Sequence, residues 1–98
     1  MNWLEPWYAC DEELLVGELK REICAGHPLW KKTVHVLWRR ADCDDVLFGI
    51  DDGTARVAVV HLTFRSESDP RWPAAEIFQD LDEFWLKRMK SDHEERGE

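Results

Sequence analysis

The chain is expected to fold as an α+β domain of order α-β-β-β-α: a three-stranded antiparallel meander with an amino-terminal and a carboxy-terminal helix packed on one face. Three observations predict it. Apolar residues recur at helical spacing in "DEELLVGELKREICAG" and in "DLDEFWLKRM". Between Thr33 and Phe64 they alternate, or run together, in the manner of strands, and the pair Asp52-Gly53 separates two of those runs. With 98 residues the chain can fill one hydrophobic core, so residues 1–90 are read as a single domain.

In the first helix, Asp11 is placed to cap the amino terminus, with Glu12 and Glu13 in the turn where the helix dipole favours negative charge. Leu15, Leu19 and Ile23 form its apolar stripe, and Glu18, Lys20, Arg21 and Glu22 its wet side. Gly26 and Pro28 supply the stop, which sets the helix end at about Ala25. In the first strand Val34, Val36 and Trp38 alternate with His35, Leu37 and Arg39, and the regular apolar set is expected to face the helices. "VLFGI" and "RVAVVHLTF" make the second and third strands, joined by a two-residue type I′ turn at Asp52-Gly53, where both positions need positive φ. "RSESDPRWP", with Pro70 and Pro73, is an exposed connection. Asp80 and Glu83 then form a capping box ahead of Leu81, Phe84, Trp85 and Met89, and residues 91–98, which carry no apolar side chain, are read as a disordered tail.

Composition excludes several classes. The 44% hydrophobic content and six tryptophans argue against a disordered chain. The formal charge of -8 leaves no basic surface for tracking phosphates, so no nucleic-acid partner is expected. Charge is concentrated at the flanks, at -4 over residues 1–26 and -5 over residues 66–98 against +1 between them. The simplest account is a set of solvated helix faces; an acidic surface that neutralises a basic protein is the sharper alternative. Cys10, Cys24 and Cys43 form no CxxC pair, and the chain opens without a signal-peptide pattern, which together predict a cytoplasmic protein with reduced thiols and no membrane segment.

One constellation invites chemistry. With Asp52 and Gly53 as the two loop residues, facing positions sum to 105, so Ile50 faces Ala55, Phe48 faces Val57, Val46 faces Val59, and Asp44 faces His61. A carboxylate beside an imidazole, with Cys43 adjacent, is the makings of a Cys-His-Asp set. The competing account is two polar groups satisfying one another at the rim of a core. Cys24 and His27 make one close-spaced pair, short of the two pairs a structural zinc site takes, and the acid clusters lack EF-hand spacing, so neither metal nor cofactor is expected. Leu47, Gly49, Ala58, Val60 and Leu62 fall on the opposite sheet face, too apolar for open water, to be covered by Trp3, Leu4, Trp7 and Tyr8 or by a second copy of the chain.

The run "DCDDVLFGIDDGTARVAVVHLTF", followed by "PRWP" and a short aromatic helix, resembles a family of roughly 100-residue bacterial proteins without assigned function, marked by a DDVLF element and a VHLTW-like element. The likeness spans residues 26–89, with Phe64 in place of the final tryptophan. It implies a small α+β fold in a bacterial cytosol and brings no reaction or ligand. The function expected is therefore a non-enzymatic protein-interaction domain, as a homodimer or with another protein. Trp72, Arg39 and Trp7 are its candidate binding residues. The alternative is a small hydrolase or ligand-binding enzyme built on Asp44, His61 and Cys43.

Overall fold

The computed structural model describes residues 5–65 and 67–96, with side chains as far as residue 93. Its element order is β1 (Trp7–Ala9), α1 (Leu14–Glu22), β2 (Val34–Arg40), β3 (Asp45–Ile50), β4 (Val57–His61), β5 (Ala75–Phe78), then a carboxy-terminal helix made of α2 (Leu81–Phe84), a π turn (Trp85–Met89) and α3 (Lys90–Arg96). The sheet is an antiparallel meander of five strands in sequence order, not three. The two additional strands lie at its edges. β1 has three residues and β5 four, too short for either to show a period of its own.

The helices lie on opposite faces of the sheet rather than together on one. Leu15 and Leu19 of α1 pack with Val34, Val36, Val46, Phe48, Ile50, Ala58, Val60 and Leu62. On the other side Phe84 and Met89 pack with Trp7, Leu47, Val57, Val59 and Phe78. Every side chain of β3 is buried as a result. Of the face expected to need cover, Leu47 packs beneath the carboxy-terminal helix together with Trp7, one of the residues named as cover, whereas Ala58, Val60 and Leu62 pack beneath α1. Trp3 and Leu4, named as cover, lie outside the described residues.

The cause of the rearrangement is a single residue in the β3–β4 connection. Ile50 N–H donates to Arg56 C=O, so the loop holds residues 51–55 and facing positions sum to 106. Gly53 has φ of 85°, the left-handed conformation anticipated there, but Asp52 is held by a local turn: its carboxylate accepts from Thr54 N–H at 3.1 Å and from Thr54 Oγ1 at 2.6 Å. These bonds and Arg56 hold the Asp52 carboxyl well below the usual range. A one-residue change of register sends every side chain of one strand to the other face. Val57 and Val59 therefore join Leu47 beneath the carboxy-terminal helix. In β2 an irregularity between Val36 and Trp38 has a similar effect: Val34 and Val36 face α1, whereas Trp38 pairs with Leu47 and packs on Phe84.

The first helix starts later and ends earlier than its capping residues suggested, with Glu13 at the cap and no side-chain cap bond. It stops at Glu22 because the chain then enters hydrogen-bonded turns, His27 to Cys24, Trp30 to His27 and Lys32 to Leu29. The second helix begins at the cap the sequence predicts, where Asp80 accepts from Glu83 N–H at 2.9 Å, but the Glu83 carboxylate reaches past the cap residue and accepts from Gln79 N–H at 2.8 Å. It continues through residues read as a tail, to Arg96, since Asp92 has partners in the sheet.

Glu22 is fully buried at the end of α1. Its carboxyl accepts from Thr63 N–H at 2.8 Å, Thr63 Oγ1 at 3.1 Å and Phe64 N–H at 2.6 Å, fastening the chain beyond β4 to the helix. Burial, together with a hydrogen bond to the Glu18 carboxyl one turn earlier, raises its pKa. A carboxyl raised in the folded state binds its proton more tightly there than in the unfolded chain. Its contribution is complete below the ordinary glutamate value and is lost as pH rises through the raised one. Measured by urea unfolding, the stability of wild type relative to Glu22→Gln is expected to fall as pH is taken from 4 to 7; a constant difference would contradict this.

Candidate functional site

Asp45 stands where Asp44 was expected. Leu62 N–H donates to Asp44 C=O, so positions 44 and 62 form a hydrogen-bonded pair, and Asp45 and His61 form the adjacent non-hydrogen-bonded pair. Side chains of such pairs approach most closely. The Asp45 Oδ1 to His61 Nδ1 distance is 2.7 Å. Strand alternation turns Asp44 to the α1 side, away from His61. Cys43, two residues before Asp45, is brought to the same place: one donor atom from each of Cys43, Asp45 and His61 lies within 4.8 Å of the others.

A charged seam continues from this group under the carboxy-terminal helix. Arg88 Nη2 donates to Asp45 Oδ2 at 2.5 Å and Arg88 Nε to Asp92 Oδ2 at 3.1 Å, the latter pair one helical turn apart. Asp92 Oδ2 also accepts from the Trp7 indole at 2.9 Å and lies 3.3 Å from Arg40 Nη1. Arg40 is held at 2.8 Å by both oxygens of Asp42, which, ahead of the Asp92 carboxylate, raises its pKa still further above the ordinary range. The Arg88 guanidinium lies 5.9 Å from the centre of the Trp7 ring. Among the described residues no buried side-chain nitrogen or oxygen lacks a hydrogen-bond partner. Asp45 and Asp92 are nearly buried, while His61 keeps about half of its side chain in solvent. A cleft of about 220 Å³, lined by Asp45, His61, Ala74, Glu76 and Arg88, opens beside it.

Cys43 is partly buried beside these carboxylates. Burial raises its pKa, and the Asp45 and Asp42 carboxylates add to this against the Asp45 N–H and Arg40. A catalytic cysteine needs the opposite environment.

The remaining candidates are dispersed. Trp7 is fully buried, its ring edge-on to Phe84 with centroids 5.1 Å apart, and cannot meet a partner. Arg39 reaches Glu12 at 3.6 Å on the α1 face. Trp72 is nearly half exposed. His35, to which the sequence assigned no partner, bonds Asp51 at 2.9 Å and folds over Gly49, where a Cβ would lie 2.5 Å from the ring. These residues border the larger cleft, about 510 Å³, with Leu81 and Asp82 on its far wall.

Fold and site together define an α+β domain with a five-stranded antiparallel sheet held between two helices, one of them tied down by a charged seam. Comparison with protein-family models, curated proteins and solved structures finds no match.

Proposed function

We propose that the chain is a non-enzymatic protein-binding domain whose contact surface is the end of the molecule where α1 stops. The observation that carries this is three large aromatic side chains left 41–48% exposed, Trp30, Phe64 and Trp72, on segments fastened to that one end. Glu22 holds the chain at Thr63 and Phe64. A Cβ at Gly26 would lie 3.2 Å from Pro70, and His27, itself buried, bonds Pro73 C=O at 2.8 Å through Nε2 while its Nδ1 accepts from Leu29 N–H. Rings displayed on loops that are pinned at their bases suit recognition, because little ordering is left for the moment of binding. Aromatic residues of this kind dominate binding energy at protein interfaces. The beginnings of a basic rim accompany them, since Lys20, Lys31 and Lys32 border a hollow of about 260 Å³ beside Trp30. This favours a partner segment with acidic character over the basic partner that net charge alone suggested.

The test is capture from the native cell extract with wild type and with Trp30→Ala/Trp72→Ala. The double variant is expected to unfold within about 0.5 kcal/mol of wild type per site, since both positions are exposed. It is also expected to lose the captured protein by roughly 30-fold or more in affinity, the scale of one hot-spot residue. Capture undiminished by the substitutions would overturn the assignment. Among the described residues no helix is long and apolar enough to cross a membrane.

A further inference from the structure

We propose that Cys43, Asp45 and His61 form a binding site for a thiophilic divalent cation of the zinc type. Three donors of the right chemistry, a sulfur, a carboxylate oxygen and an imidazole nitrogen, are brought within 4.8 Å of one another by the β2–β3 connection, the start of β3 and the end of β4. Ligands around a tetrahedral zinc ion at about 2.0–2.3 Å are separated by about 3.3–3.8 Å, so the set needs a small shift that opens the 2.7 Å Asp45–His61 contact and draws in the wider separations. His61 can supply that shift because half of it is in solvent. The contact between His61 Nδ1 and Asp45 Oδ1, 2.7 Å, is bridged by one proton, and the ion would take the proton's place.

The surroundings support the ligands. Asp45 keeps its second oxygen on Arg88, the kind of outer contact that fixes a metal-bound carboxylate. The positive charge of Arg88 is itself met by Asp92 and Glu76. Sulfur and nitrogen donors select zinc, cobalt or copper over magnesium and calcium, which take oxygen alone. With three protein ligands the fourth position belongs to water, and the cleft beside His61 gives it access, as in open zinc sites rather than closed structural ones. Binding involves no electron transfer. The Cys43 thiol gives its proton to solvent, and neutral His61 carries its single hydrogen on Nε2 while Nδ1 meets the ion.

The test is titration of the full chain with Co²⁺, then Zn²⁺. One cobalt ion per chain is expected, with a thiolate-to-cobalt charge-transfer band and the visible bands of tetrahedral coordination, all removed by Zn²⁺ and unmoved by excess Mg²⁺. Cys43→Ser should abolish the charge-transfer band, and Arg88→Met should weaken binding about 10- to 100-fold while leaving the band in place. His61→Gln, at a half-exposed position, should lower affinity without loss of the circular dichroism of the fold, and so stands in if Cys43→Ser does not fold. Absence of the band in wild type, a band that survives Cys43→Ser, or an affinity unchanged by His61→Gln would overturn the site.

Discussion

Phe84→Ala is expected to destabilise the domain by about 3–5 kcal/mol, the range for truncating a buried aromatic side chain. Phe84 is fully buried where the carboxy-terminal helix meets the sheet. Its ring contacts Trp7, Trp38 and Phe78 at centroid distances of 5.1, 5.9 and 5.7 Å, so three aromatic partners lose their common neighbour at once. Small domains are stable by only about 5–15 kcal/mol, which makes this a large fraction of the total. Leu86→Ala, on the exposed side of the same helix, is the control and should stay within about 0.5 kcal/mol. Urea unfolding decides the matter: equal midpoints for the two variants would mean that the helix does not close the sheet face.

Asp45→Ala is the second large effect, expected at about 3 kcal/mol. Its carboxylate, nearly buried, serves His61 and Arg88 and lies 4.0 Å from Arg40, so truncation leaves cationic groups without their counter-charge. Removing one partner of a buried pair costs about 3–5 kcal/mol, and the lower end applies because Arg88 retains Asp92 and Glu76. The double variant Asp45→Leu/Arg88→Met should be less destabilised than the sum of the two single ones, since it removes charge together with counter-charge. Strict additivity in a double-mutant cycle would show that the two side chains are not coupled.

Much of this architecture can be read from the sequence, and the failures have physical causes. The strand runs around "VHVLW", "VLFGI" and "VAVVH" and the Asp80–Glu83 cap depend on neighbours in sequence, and they fold as local chemistry dictates. β1 and β5 form because an edge is available to pair with, a property of the assembled sheet rather than of three or four residues. A stripe such as Leu81, Phe84 and Met89 says that a helix has a core side without saying which face of the sheet it meets. One available signal was missed: "VAVV" and "VLFGI" do not alternate, and strands covered on both faces read in that way. At the rim of the sheet Cys43 and His61 come together, but with Asp45 in place of Asp44, because the side chain of Asp52 lengthens the loop by one residue. Arg88 is 43 residues from Asp45 and Trp7 is 85 from Asp92, separations over which no pattern in the chain connects the partners.

The π turn at Trp85–Met89 sets the phase of everything after it. An α-helix advances about 100° per residue, and a π turn holds one residue more than an α turn. Phe84 is therefore followed on the sheet side by Met89, five positions on, both fully buried, while Arg88 is left at the margin where the carboxylates are. In a regular helix Arg88 would succeed Phe84 and set a guanidinium among aromatic rings. Loss of one residue from this turn would thus act as a rotation more than a shortening, turning Asp92 off Trp7 and Arg40 while the sequence on either side stayed intact.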